Sequence, residues 1–342
     1  MVFHLLSVPI LGTYAVFSFF ILSGFLMTMI MHESYGYTKD GVKRFTINRF
    51  LRLYPMYWVA ASISIITIVV VTPNFSLMYH KALDLPDNFK EIFYNFSMLF
   101  FSISPLSVEP RLSPPTWALT VEIFYYVLIA FGLSRSKKIT LVWLAGSLVY
   151  FVLTYYMGLS PSSRYNIIFA ASLPFSLGAI LYFYKDKLFA LLSKNNISNP
   201  LYYLAAYILN SLLFSFFQKN ILFIHSEIIV EMGMYLNMLL TLFVLTVLFH
   251  WKGNRYITTR IDKIFGDYSY PIYLLHWQCA LLVSYILFES PEKGYSSEGI
   301  TVFFGTLLLV FIISLVFIAL IDKNVSRIRE RIKKNNSKTI KL

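Results

Sequence analysis

Long stretches without a charged side chain are the dominant feature of this chain. No Asp, Glu, Lys or Arg occurs in residues 1–32, 53–80, 139–163, 165–184, 195–218, 232–251, 268–288 or 299–321, and residues 112–134 contain only Glu122. A helix that crosses about 30 Å of hydrocarbon needs roughly 20 residues of this kind. Lipid offers an open backbone no hydrogen bonds, so a spanning segment closes its own as a helix. The nine windows predict nine full spans in an all-α, polytopic transmembrane helix bundle. The stretch from Ile92 to Leu106 is apolar but short and contains Pro105, which predicts an interfacial or re-entrant helix.

Composition excludes the water-soluble alternative. Of 342 residues 57% are hydrophobic and 13% charged, whereas a soluble domain carries about a quarter charged. The formal net charge of +12 suggests a nucleic-acid partner only until the cations are located. Segments 33–52, 134–138, 185–194, 252–267 and 322–342 hold 5, 3, 3, 4 and 8 Lys or Arg, which is 23 of the 29. These segments alternate with cation-poor ones, the pattern of short loops retained on the cytoplasmic side. The loop from Pro73 to Arg111, the turns around Arg164 and Lys219, and the acidic loop with Glu289, Glu292 and Glu298 then face outward. The basic tail from about residue 322 is cytoplasmic and suited to anionic lipid. No nucleic-acid partner is expected. The single cysteine, Cys279, rules out an internal disulfide framework.

The same parity makes the span near Ile10–Met31 run from outside to inside, with neither a charged leader nor a cleavage site before it. The expectation is that residues 1–8 are the remnant of a first helix in a ten-helix architecture whose N-terminus is truncated. Residues 1–342 otherwise read as one transmembrane domain.

Few polar residues interrupt the apolar background, and each is a functional hypothesis because a charge in lipid is costly unless it faces the bundle interior. Glu122 lies about 12 Å inside its helix, either lining a site or holding two helices together. Ser269, Tyr273 and His276 follow i, i+4, i+7 spacing and share a helix face; the alternative for His276, beside Trp277, is an interfacial anchor. Arg49 and Arg52 lie three apart on one face, and paired guanidinium forks match phosphate oxygens; lipid-headgroup anchoring is the alternative. His4, taken alone, is a terminal histidine, but as the end of a first helix it lies near the outer face, where an imidazole can exchange a proton near neutral pH. No phosphate loop, nucleophile elbow or metal-ligand spacing is present, so neither a bound metal nor a resident cofactor is expected.

Four blocks, in order along the chain, resemble the bacterial integral membrane acyltransferases of family three. They are Phe19-Phe-Ile-Leu-Ser-Gly-Phe-Leu26, Arg49-Phe-Leu-Arg-Leu-Tyr-Pro-Met-Tyr-Trp58, Trp117-Ala-Leu-Thr-Val-Glu-Ile-Phe-Tyr125 and Tyr268-Ser-Tyr-Pro-Ile-Tyr-Leu-Leu-His276. Met1-Val-Phe-His4 is similar to the end of that family's first helix, and Leu173-Pro-Phe-Ser-Leu-Gly-Ala179 to a later packing helix. The resemblance implies O-acylation of a cell-surface glycan or lipid-linked saccharide, with cytoplasmic acyl-CoA, usually acetyl-CoA, as cosubstrate, in the bacterial inner membrane. It makes His4 the catalytic histidine and Arg49 with Arg52 the donor-binding pair. Glu122 is then a second catalytic candidate, and Trp117, Ser269, Tyr273 and His276 candidates for lining the site. A glycan-precursor transporter or flippase, with Glu122 and His276 along its path, is the alternative.

Overall fold

A computed structural model describes residues 1–8, 10–220, 226–251 and 255–334. These residues contain helices and no strand. In chain order the helices are α1 (Val2–Leu5), α2 (Leu11–Ile30, continued by a π turn, Met31–Tyr35), α3 (Lys39–Val71), α4 (Pro73–Tyr79), α5 (Phe89–Ser97), α6 (Trp117–Ala130), α7 (Lys137–Tyr156), α8 (Ser172–Lys194), α9 (Pro200–Asn220), α10 (Ser226–His250), α11 (Arg255–Phe288), α12 (Ser297–Phe317) and α13 (Lys323–Lys334).

Among the described residues eight helices are long and apolar enough to cross a membrane, and the chain is an all-α polytopic bundle. They correspond to eight of the nine charge-poor windows. The ninth, residues 112–134, folds as a 3₁₀ turn (Pro114–Thr116) followed by the 14 residues of α6, about 21 Å of helix. Pro114 and Pro115 keep the segment's first residues out of a regular helix. The Ile92–Leu106 stretch is helical only within α5, which stops where Met98 turns left-handed. Phe89, Ile92, Phe93 and Phe96 form its exposed apolar stripe, at the spacing of one helix face. Of the basic tail, α13 is described, and residues 335–342 lie outside the described residues.

The chain divides into two compact units, each discontinuous in sequence. One comprises Met1–Val8, Lys43–Thr120 and Gly253–Leu342; the other comprises Pro9–Val42 and Val121–Lys252.

In the second unit α2 packs against α8 at backbone contact. A methyl group on Gly178 would strike the carbonyl of Ile21 and the amide of Phe25, and one on Gly24 would strike the Phe175 carbonyl. Small residues of this kind let helices approach where lipid supplies no hydrophobic drive for association. Tyr14, Phe17, Ile21, Phe151, Leu173, Met234 and Met238 fill the surrounding core. Polar contacts add direction: Asn210 donates to the Asn237 side chain (2.7 Å), Asn237 donates to Ser211 Oγ (2.7 Å), and Arg164 is paired with Glu231 (3.0 Å).

In the first unit the long connection between α5 and α6 is fixed by side chains that satisfy its backbone. The Leu112 carbonyl accepts from Ser64 on α3 and from Gln278 on α11 (2.9 Å). Asn95 holds both sides of the same turn, accepting from the Leu112 N–H (2.8 Å) and donating to the Pro110 carbonyl (3.0 Å). Tyr270 donates to the Leu53 carbonyl (2.9 Å). α3 and α11 are therefore linked at two levels, Leu53 with Tyr270 and Ser64 with Gln278.

Replacing Gly178 with valine is expected to destabilise the second unit by about 1–3 kcal/mol or more, since the obstacle is backbone rather than a movable side chain. A lowered unfolding midpoint of the detergent-solubilised protein checks this, with Gly146→Val, where nothing meets an added Cβ, as the control.

Candidate active site

The first unit gathers three histidines, a tryptophan and a lysine from four separate segments. Gly294, with a positive φ of 92° that glycine adopts without strain, donates its N–H to the Leu5 carbonyl (2.8 Å). That bond ties the loop after α11 to the helix bearing His4 and brings Lys293 to the same place. The His4 ring stacks on His276 (centroids 5.4 Å apart, planes at 25°) and lies 5.0 Å from Trp277. His80, just past α4, makes an edge contact with Trp277, centroids 4.3 Å apart. The Lys293 ammonium lies 4.1 Å from the Tyr79 ring centroid and 5.0 Å from that of Trp277, and it donates to the Tyr79 carbonyl.

Backbone hydrogen bonds assign complementary roles to two of the histidines. His276 Nδ1 lies 3.1 Å from the Ile272 carbonyl and 2.9 Å from that of Tyr273. Carbonyls only accept, so Nδ1 carries the proton and the neutral ring presents Nε2 as an acceptor. His80 Nδ1 accepts from the Ala82 N–H (3.0 Å), so in the neutral ring Nε2 carries the proton. His276 Nε2, Trp277 Nε1 and the Tyr79 hydroxyl are all buried without a hydrogen-bond partner. A buried polar atom left unsatisfied typically costs about 1–3 kcal/mol, and these three sit on residues whose rings adjoin His4 directly or through Trp277.

The surroundings are electropositive. Burial pushes His4 down to about 3, with neighbouring cationic groups acting in the same direction. Burial, then Lys293 and Arg111, pushes His80 down to about 4. Both imidazoles are neutral at pH 7. Burial lowers Lys293 to about 8, so its ammonium is charged at neutral pH. Arg111, only 2% exposed, donates from Nε to the Pro114 carbonyl (3.0 Å) and from one terminal nitrogen to the carbonyls of Leu106 (2.7 Å) and Val108. It folds the α5–α6 connection around its guanidinium.

Of the residues singled out in the sequence, the structure brings His4 and His276 together. Tyr273 donates to the Pro115 carbonyl, and Ser269 is exposed and donates to the Gly266 carbonyl (3.0 Å). Trp117 is buried at the start of α6 in the first unit. Glu122 belongs to the second unit, where Oε1 accepts from Ser23 (2.6 Å) and from Tyr126, joining α2 to α6. Arg49 and Arg52 lie in the first unit on α3. Arg52 is 12 residues before Ser64, which is level with Gln278, so the pair lies on the order of 15–20 Å along the helices from His276.

His80, Lys293, Tyr79 and Arg111 escape a sequence search for charges inside spans because they lie in connections. One signal exists for Lys293: it is a cation in an otherwise acidic loop on the side where the charge alternation leaves few.

A family model described as an acyltransferase domain, Acyl_transf_3, matches residues 1–319. No curated protein and no solved structure matches the chain.

Both outlying histidines gain protons on unfolding. Their folded pKa values lie below the ordinary value near 6.5, so below that pH the unfolded chain binds protons that the folded one does not, and stability falls as pH drops. The unfolding midpoint of the solubilised protein is expected to decline from pH 7 to pH 5, by up to about 1.4 kcal/mol per pH unit for each histidine. His80→Asn, whose Oδ1 can replace the acceptor for Ala82, is expected to flatten that decline.

Proposed function

We propose, for a chain that belongs to the Acyl_transf_3 family of acyltransferases and is a multi-pass membrane acyltransferase, that His4 is the general base of an acyl transfer from acyl-CoA to a glycan hydroxyl. The observation that carries this reading is the set of unpartnered buried atoms on His276, Trp277 and Tyr79, whose rings adjoin His4 directly or through Trp277. A hydroxyl entering the cluster finds a neutral imidazole to take its proton and acceptor and donor groups to align it.

In the proposed reaction His4 removes the hydroxyl proton as the oxygen attacks the thioester carbonyl. The carbonyl oxygen becomes an oxyanion, the C–S bond then breaks, and the imidazolium returns the proton to the departing thiolate. A positioned base contributes about 10² to 10⁴-fold. Preformed donors supply a further part by meeting charge as it develops; Lys293 and the Trp277 N–H are the groups on hand. Arg49 and Arg52 hold the anionic end of the donor, and a long thioester arm covers the distance between them and His4. We assign Glu122 to holding α2 and α6 together through Ser23 and Tyr126.

The donor is acetyl-CoA in this reading and the acceptor a cell-surface glycan or its lipid-linked precursor. The distribution of cations supports cytoplasmic Arg49, Arg52 and C-terminal tail with His4 toward the opposite face, and the family resemblance supports a bacterial inner membrane.

His4→Ala is expected to lower CoA release from acetyl-CoA by membranes supplied with acceptor glycan by about 10² to 10⁴-fold; unchanged release removes His4 as the base. Because Lys293 loses its charge above about 8, the rate is expected to fall as pH rises through that value. Lys293→Arg is expected to extend the plateau upward, and a profile identical to that of the wild type would separate Lys293 from the reaction.

A further inference from the structure

The matched family region stops at residue 319, yet the helix that follows reaches back to the donor-binding segment. α13 carries six Lys or Arg against one Glu. Asn48, immediately before Arg49 and only 4% exposed, joins the two. Its Oδ1 accepts from an Arg49 terminal nitrogen (3.1 Å) and from Arg329 Nε (3.2 Å), and its Nδ2 donates to the Arg329 carbonyl (3.3 Å). One amide thus fixes both the backbone and the guanidinium of Arg329 and brings a second guanidinium onto the same oxygen.

We propose that Arg329 is a donor-binding residue, completing with Arg49 and Arg52 a three-guanidinium site for the phosphates of the acyl donor. This rests on the reading of Arg49 and Arg52 as the donor pair. A guanidinium presents its N–H donors in a planar fork, and forks converging from two helices suit a ligand with several phosphate groups better than a single anion. Asn48 acts as a positioning residue that sets the angle between the forks. Phosphate is also what an anionic lipid headgroup presents, so the source is decided by the test.

Full-length protein is placed in nanodiscs of phosphatidylcholine alone or with phosphatidylglycerol, and binding of radiolabelled acetyl-CoA and of S-acetylpantetheine, which has no phosphate, is measured. Arg329→Gln is expected to weaken acetyl-CoA by roughly tenfold in both lipids, with S-acetylpantetheine binding and the unfolding midpoint unchanged, and Arg329→Lys by less, since lysine keeps the charge but not the fork. Equal weakening of both ligands would mean lost structure and overturn the proposal. An effect confined to phosphatidylglycerol nanodiscs would make Arg329 a lipid contact and also overturn it. If Arg329→Gln binds acetyl-CoA like the wild type while Arg49→Gln with Arg52→Gln binds it weakly, Arg329 alone is excluded. If that double variant also binds normally, the donor-site reading itself falls.

Discussion

Hydrocarbon cannot solvate a hydrogen-bonding group, and every level of this structure answers to that constraint. It forces the backbone into helices, and burial in the bundle likewise requires the irregular connection between α5 and α6 to be satisfied by side chains. Ser64, Asn95, Gln278 and Arg111 hold the carbonyls and amides of that connection. Within each unit, helix contacts rely on small residues and on polar bonds such as Asn210 to Asn237, because apolar side chains gain little from exchanging lipid for one another.

In the first unit His276 Nε2, Trp277 Nε1 and the Tyr79 hydroxyl are buried without a hydrogen-bond partner, on residues whose rings adjoin His4 directly or through Trp277. An imidazole acceptor with indole and phenol donors suits a hydroxyl and a thioester carbonyl. Burial and adjacent cations keep His4 neutral, the form in which an imidazole accepts a proton. Family membership independently assigns the chain to acyl transfer, and the proposed chemistry needs only groups that the first unit supplies.

Much of this was legible beforehand. Charge-free windows identified the spans, because exclusion of charge from lipid acts on single residues regardless of their neighbours. The window at 112–134 predicts a full span, whereas its α-helix begins only at Trp117, because two prolines take the first residues into a 3₁₀ turn. His276 was visible as a polar residue on an apolar face, and Arg49 and Arg52 as a pair by helical spacing. The helical stripe, however, included Ser269 and Tyr273, whose hydroxyls bond to the Gly266 and Pro115 carbonyls. Periodicity reports which residues share a face, not what each one meets. His80, Lys293 and Tyr79 were not legible because they converge from connections whose path no local pattern encodes.

The sequence by itself determined the class of fold and the sites of its apolar spans, since these depend on composition and spacing along one dimension. Only the tertiary structure decided that His276 presents its Nε2, that Lys293 stands over Tyr79 and Trp277, and that Arg329 reaches Asn48. Each of those outcomes requires two distant segments to be brought within a few ångströms. Hydrogen bonds and ring contacts act only at that range, so their partners are chosen by packing and not by position along the chain.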